Sequence, residues 1–132
     1  MIQSSAQAIA ILQDQHLPEN QRTDAARFLA TDTSEESIDA LVAALSDADH
    51  GVRWAAGSAL ALLGDAAMPA MLSALLQPNV DKTLRDGVRH VLTDNRSANV
   101  RQLSVPLAKA LKGPEADIAA MQEAAKLLPS FR

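Results

Sequence analysis

The sequence has no cysteine and few aromatic residues: no tyrosine, two phenylalanines and one tryptophan. The absence of cysteine excludes disulfides, thiolate metal sites and thiol nucleophiles. Valine, isoleucine and the aromatic residues are too sparse and too scattered to build several strands, whereas alanine and leucine, both strong helix formers, dominate the apolar fraction. The composition therefore predicts an all-α protein.

Membrane and secretion signals are also lacking. No run of about 18 apolar residues is present to span a bilayer. The first residues, 1–5 (MIQSS), have no basic start before an apolar block, so a secretory signal is not expected. With 132 residues and no linker, the chain is predicted to be one cytoplasmic domain, residues 1–132, that does not bind membranes.

The formal net charge is −4, which argues against a general nucleic-acid binder because such proteins need a basic footprint. The charge is uneven: residues 1–66 hold 10 acidic and 3 basic side chains, net −7, and residues 67–132 hold 6 acidic and 9 basic ones, net +3. This asymmetry would suit head-to-tail association of like molecules. Solvated charge on long helices is the simpler interpretation, and we favour it.

A pattern returns about every 31 residues. Leu45, Val52-Arg53 and Leu60 reappear as Leu76, Leu84-Arg85 and Leu92, and more faintly earlier as Leu12, Gln21-Arg22 and Leu29. A period of this size indicates a stack of helical hairpins, and such stacks usually bind other molecules rather than catalyse reactions.

Turn and cap residues predict eight helices in four pairs. Pro18 is expected at the first position of the second helix, Thr33 with Glu36 as a capping box for the third, and Asp49 as the N-cap of the fourth. Gly64 is expected to end the fourth helix in a left-handed conformation. The expected ranges are about 5–14, 18–30, 34–46, 49–64, 65–77, 82–93, 99–112 and 115–128.

Pro106 makes the seventh helix ambiguous, because proline is poorly tolerated inside a helix. Two alternatives follow. Either the helix over 99–112 kinks at this residue, or Pro106 begins the helix and residues 99–105 form a separate short turn.

The central unit carries a family resemblance. Residues 38–47 (IDALVAALSD), 52–56 (VRWAA) and 59–65 (ALALLGD) resemble the HEAT-repeat family, in particular its short bacterial branch similar to the phycobilisome-lyase repeats. The resemblance implies an α-solenoid of about four HEAT-like hairpins, whose second helices line an inner, concave surface. It also implies protein binding as the commonest function. The phycobilisome branch acts on pigment-carrying proteins, and a distant relative excises alkylated bases from DNA.

The second helix of each hairpin has a side opposite its apolar stripe. In the fourth helix that side carries Trp54, and with the resemblance the corresponding positions form one continuous strip on the inner face. The strip consists of Thr23, Ala26, Arg27, Ala30, Trp54, Gly57, Ser58, Ala61, Asp86, Arg89, His90 and Thr93. Trp54 either forms an accessible binding hot spot or packs against the neighbouring hairpin, and we lean slightly towards the accessible form. The predicted partner-binding residues are Trp54, Arg27, Ser58, Asp86, Arg89 and His90.

Arg22, Arg53 and Arg85 recur in register. They form either a ladder that recognises acidic groups of a partner or a set of structural ties between each helix and the preceding turn. The family resemblance favours the structural role, with Asp47 as the partner of Arg53.

The enzymatic alternatives have little support in the residues. The three histidines are far apart, and only His90 has a carboxylate, Asp94, at helical spacing, so no metal, cofactor or catalytic residue is predicted. Asp86 with Trp54 and Arg89 is similar to the constellation of HEAT-like DNA glycosylases. The prediction is a non-catalytic protein–protein interaction module; an accessory lyase subunit, or less so a DNA glycosylase, is the alternative.

The expected partner is another protein or a peptide, with no nucleic acid. Self-association as a weak homodimer is the further possibility beside a monomer. It would use apolar residues at the two ends of the solenoid, Ile9, Ile11 and Leu12 at one end and Leu127, Leu128 and Phe131 at the other.

Overall fold

The computed structural model describes all 132 residues and contains α-helices and short 3₁₀ turns only. The all-α prediction is confirmed. The nine helices are α1 (Ser5–Gln13), α2 (Glu19–Phe28), α3 (Glu35–Ala44), α4 (His50–Leu63), α5 (Met68–Leu75), α6 (Lys82–Thr93), α7 (Ala98–Leu103), α8 (Val105–Lys112) and α9 (Ala116–Leu127).

The helix ends follow capping chemistry, with two errors in the prediction. Asp49 caps α4 as expected, accepting hydrogen bonds from the amides of Gly51 and Val52 at 2.9 and 3.3 Å. The N-cap of α3 is Ser34 rather than Thr33, and its hydroxyl accepts from the amide of Ser37 at 3.3 Å. The N-cap lies one residue later than predicted and the predicted capping box is wrong, because the third helical position is Ser37, whose hydroxyl donates to Asp32 instead. Pro18 likewise precedes α2 instead of occupying its first position.

Two predicted breaks are seen in the structure. Gly64 has a φ of +65°, a conformation that side chains disfavour, and it ends α4 before a 3₁₀ turn at Gly64–Ala67. Pro106 lies in the first turn of α8, where its missing N–H costs little, and Ser104 separates α8 from the short α7. The second of the two alternatives for Pro106 is thus the one observed.

The helices pack in two layers. The first layer contains α1, α3, α5 and α9, and the second contains α2, α4, α6 and α8, with each helix beside the next in that order. The buried apolar side chains form one cluster between the layers, from Ala8 in α1 to Leu128 after α9. This arrangement is an α-solenoid of helical hairpins.

The last helix pair reverses the order of the layers. In the first three pairs the first-layer helix comes earlier in the chain, whereas α8 lies in the second layer and α9 returns to pack on α5 in the first. The four successive helix pairs predicted from the sequence did not include this reversal. The six-residue α7 buries only Val100, too little to continue the first layer, and α9 covers α5 in its place.

The six apolar residues expected at the two ends of the solenoid are all at least partly buried. Leu12, Leu127 and Leu128 are buried, and Ile9, Ile11 and Phe131 pack partly buried against the core. The three leucines are covered by their own subunit, whereas Ile9, Ile11 and Phe131 keep some exposed surface, so self-association through the ends stays a prediction.

One stretch, His50–Leu75, is long and apolar enough by length and composition to cross a membrane, although no such stretch was predicted from the sequence. It consists of α4 and α5 joined through the turn at Gly64, and half of its most apolar window is buried within the protein. Core helices of a globular domain commonly have this composition, so the stretch is weak evidence for a membrane span.

Candidate functional site

Trp54 projects from the second layer into solvent. The apolar stripe of α4, which includes Val52, Ala56 and Leu60, turns into the core, and Trp54 lies on the other side of the helix with 59% of its surface exposed. Of the two alternatives for this residue, the structure has the accessible one. A tryptophan this exposed stabilises the fold little and is available for contact.

One neighbour holds the indole ring in place. The rings of Trp54 and His90 lie with centroids 4.5 Å apart and planes tilted by 31°. Gly57 allows this contact, because a Cβ atom at that position would lie 3.1 Å from Cδ2 of His90. His90 in turn lies 3.0 Å from the carboxylate of Asp94. The pair joins α4 to α6 at the surface.

A series of grooves runs along the second layer. The groove between α2 and α4 and the groove between α4 and α6 share Trp54 as a wall; the latter and the groove between α6 and α8 share Arg89. Their volumes are about 540, 360 and 320 Å³. We call this continuous surface the second-layer groove.

Most of the predicted strip lies in the second-layer groove. Its lining includes Thr23, Arg27, Ala30, Trp54, Gly57, Ser58, Asp86, Arg89, His90 and Thr93. The remaining two strip positions, Ala26 and Ala61, are buried and line none of these grooves. All six predicted partner-binding residues are therefore brought to one surface, and their role in binding stays a prediction.

The charged members of this set differ in how they are engaged. Arg27 pairs with Asp24 at 2.7 Å and Asp86 with Lys82 at 2.8 Å, both in exposed pairs of the kind that contribute little stability. Arg89 enters none of the five ion pairs of the chain. Asp86, Trp54 and Arg89 line one groove, but the carboxylate of Asp86 faces the Lys82 ammonium.

The recurring arginines are structural, as the resemblance favoured. Arg53 donates to the carbonyl of Asp47 at 2.7 Å, and Arg85 donates to the carbonyl of Val80 at 3.2 Å. Each ties its helix to the turn before it.

Asp47 pairs with a different arginine from the one expected. Its carboxylate binds Arg22 of the preceding hairpin, and Arg22 also donates to the carbonyl of Leu12 at 2.7 Å. Burial by itself would raise the pKa of Asp47. Hydrogen bonds from Arg22, the Asp49 amide and Gln15 outweigh that effect and hold the pKa below its ordinary value.

A fourth arginine of this kind was missed. Arg101 in α7 donates to the carbonyl of Asn95 at 2.5 Å, and Asn95 accepts from the amide of Ser97 as Asp47 does from Asp49. The sequence does contain the signal, since Asn95, Ser97, Val100 and Arg101 have the spacing of Asp47, Asp49, Val52 and Arg53.

Three cations of the groove were also missed, namely Arg101, Lys109 and Lys112 between α6 and α8. The sequence signal for these cations was the net charge of +3 over residues 67–132. No group of three or more His, Cys, Asp or Glu side chains is arranged to hold a metal ion.

Two packed layers of helices, with a groove along one of them, define an α-solenoid as the class of protein. A family model described as HEAT repeats matches residues 5–93, more than half of the 132-residue chain, and the chain belongs to the HEAT-repeat family. The match ends at Thr93, the last residue of α6, after which the regular order of the layers ends. No curated protein and no solved structure matches the chain. Membership in the phycobilisome-lyase-like branch stays a prediction.

Proposed function

We propose that this protein is a non-catalytic interaction module that binds a peptide or helix of a partner protein in the second-layer groove. HEAT repeats are commonly protein-interaction scaffolds. The observation that carries the proposal is the placement of the single tryptophan, exposed where two grooves meet. An indole ring in that position gives a large apolar contact with one polar N–H donor.

The surroundings of Trp54 suit an anchor. His90 supports one side of the ring and limits its motion, so less side-chain entropy is lost on binding. Leu62, 53% exposed, lies on the same helix and lines the groove between α2 and α4 together with Trp54. A partner side chain lying there would contact both residues, which gives the site an apolar centre with a polar rim.

The test begins with peptides selected from a random displayed library against the full chain. Because the protein has one tryptophan, its own emission reports on the site. In the free protein we expect emission close to that of free tryptophan and easy quenching by iodide. A peptide bound in the groove should shift the emission to the blue and protect it from iodide.

The decisive variant is Trp54→Ala, which should weaken the binding of the selected peptides by about 2 kcal/mol or more. Ile118→Ala is the matched control, because Ile118 is equally exposed, at 58%, but lies on α9 outside the groove. Both variants should keep the wild-type unfolding midpoint. Selected peptides that bind Trp54→Ala as tightly as wild type would contradict the proposal.

A further inference from the structure

The part of the second-layer groove between α6 and α8 is positively charged. Its lining contains no carboxylate and four cations, Arg89, Arg101, Lys109 and Lys112. We call this part the basic end of the groove.

The cations of the basic end have few partners within the chain. Arg89, Lys109 and Lys112 enter none of its ion pairs. Arg101 uses one nitrogen for the carbonyl of Asn95, and its guanidinium has further donors. Four neighbouring positive charges with no carboxylate in the same lining repel one another, so an anionic partner that relieves this repulsion is favoured.

Two further features of the basic end suit a polypeptide ligand. Val105 is 51% exposed and offers an apolar contact. Ser104 also lines the groove, and its buried hydroxyl has no hydrogen-bond partner. A buried hydroxyl without a partner is costly, and a small movement on binding would let a ligand satisfy it.

The opposite end of the groove has another charge pattern. The lining between α2 and α4 holds one carboxylate, Glu19, and one cation, Arg27, which is paired with Asp24, and the first half of the chain carries a net charge of −7. A nucleic-acid backbone lying along the whole groove would be repelled there. The charge pattern favours a partner that is negative at one end only.

We propose that the second-layer groove binds an acidic segment of a partner protein, with its Asp and Glu side chains against Arg89, Arg101, Lys109 and Lys112 and an apolar side chain at Trp54. This inference rests on the proposed function and adds the chemistry of the partner. Arg89 lines both the groove of Trp54 and the basic end, so one segment reaches both.

The geometry also sets the spacing within that segment. Neighbouring packed helices are about 8–10 Å apart, and an extended chain covers about 3.3 Å per residue. The acidic residues should therefore begin about three residues from the apolar anchor.

The experiment measures fluorescence anisotropy of labelled peptides with the full-length chain. The probe contains a phenylalanine, a Gly-Ser spacer of about three residues and a run of glutamates. Matched peptides replace the glutamates with glutamines or with lysines. We expect the glutamate peptide to bind at least about tenfold more tightly than the glutamine peptide at low salt, and the difference to shrink as salt is added.

The double variant Lys109→Gln/Lys112→Gln should weaken binding of the glutamate peptide by about fivefold to tenfold and leave the glutamine peptide unchanged. Lys126→Gln is the matched control, since Lys126 is an exposed cation on α9 outside the groove, and it should change neither affinity. Trp54→Ala should weaken both peptides by similar factors.

The outcomes separate the two proposals. Equal affinity for glutamate and glutamine peptides, with both lost in Trp54→Ala, would overturn the acidic-segment inference and leave the interaction module intact. No binding of any of these peptides would overturn the inference as well, while the library-selected peptides decide the proposed function separately. Tighter binding of single-stranded DNA than of the glutamate peptide, with the same dependence on Lys109 and Lys112, would replace a protein partner with a nucleic acid.

Discussion

Arg22 and Asp47 form a buried ion pair that joins the first two hairpins. Their side chains are 3% and 4% exposed, and the guanidinium also binds the carbonyl of Leu12 while the carboxylate also accepts from Gln15. A buried pair of this kind adds little compared with an apolar pair of the same shape, but removing one partner leaves an uncompensated buried charge. The pair therefore makes the packing between hairpins sensitive to single substitutions.

We predict that Asp47→Asn lowers the free energy of unfolding by about 3–5 kcal/mol at pH 7, because Arg22 keeps its charge and loses its counter-ion. Urea denaturation measures the loss. Asp24→Asn is the control, since Asp24 belongs to an exposed pair with Arg27, and it should cost less than about 1 kcal/mol. Equal losses in the two variants would show that the burial of Asp47 is unimportant.

The same residue predicts a pH dependence. Asp47 and Asp32 both have a lowered pKa; for Asp32 the causes are hydrogen bonds from the hydroxyls of Ser37 and Ser5 and from the amide of Ser34. A lowered folded-state pKa stabilises the protein above the unfolded value of about 3.9, and this stability is lost as the pH falls through the folded pKa. Unfolding free energies from pH 7 to pH 3 should therefore be flat at first and then decline below about pH 5.

The decline of the unfolding free energy at acid pH should be shallower in Asp47→Asn, because this variant has one fewer carboxylate to protonate. Its stability curve should approach that of the wild type at low pH. If the plots of unfolding free energy against pH stay parallel for the two proteins, protonation of Asp47 is not coupled to folding.

At the scale of the element, α6 is positioned by its glycine. A Cβ atom at Gly87 would lie 3.3 Å from both Cβ and Cδ2 of Leu45, a buried residue at the end of α3. Leu45 has little freedom to move because it also lies beneath Gly57 of α4. The missing side chain at Gly87 thus lets α6 approach Leu45 and α4 closely, which brings His90 to Trp54.

We predict that Gly87→Ala destabilises the fold by about 1–3 kcal/mol through overpacking, although alanine favours the helix by about 1 kcal/mol. The control is Gly51→Ala in the first turn of α4. A Cβ there meets the carboxylate end of Glu19, an exposed side chain that can move aside, so the variant should be neutral or slightly stabilising. Thermal unfolding compares the stability of the two variants. A Gly87→Ala variant as stable as the wild type would show that Leu45 can move to make room for the added methyl group.

At the scale of the whole molecule, α9 completes the first layer. It buries Ala120, Ala124 and Leu127 and packs on α5 and α8, while Ile118 and Met121 remain exposed. This returning helix is what distinguishes the last pair from the three pairs before it.

We predict that removing residues 114–132 uncovers the side of α5 that α9 protects, so the shortened chain unfolds at a lower temperature and self-associates. Size-exclusion chromatography with light scattering detects the association. The full-length Ile118→Ala/Met121→Ala variant is the control for the exposed side of α9 and should behave as the wild type does. If the shortened chain has the same unfolding temperature as the wild type and elutes as a monomer, α9 has no role in stability.

Most of the helices and the faces they bury follow from local sequence alone. Stripes such as Val52, Ala56 and Leu60, caps such as Asp49, and breaks at Gly64 and Pro106 depend on neighbours within a few residues, which is why they can be read without coordinates. The 31-residue period then predicted the stack of hairpins. Because Trp54 follows Val52 by two residues, or about 200° around the helix, it was predicted to lie opposite the apolar stripe of α4.

Which distant residues meet depends on how the helices pack in three dimensions. The partner of Asp47 is Arg22 in another hairpin, α9 returns to α5 against the chain order, and Arg89 with Lys109 and Lys112 forms one basic surface. These contacts depend on how closely whole helices approach, as Gly87 shows, and packing distances of that kind are not encoded in local periodicity.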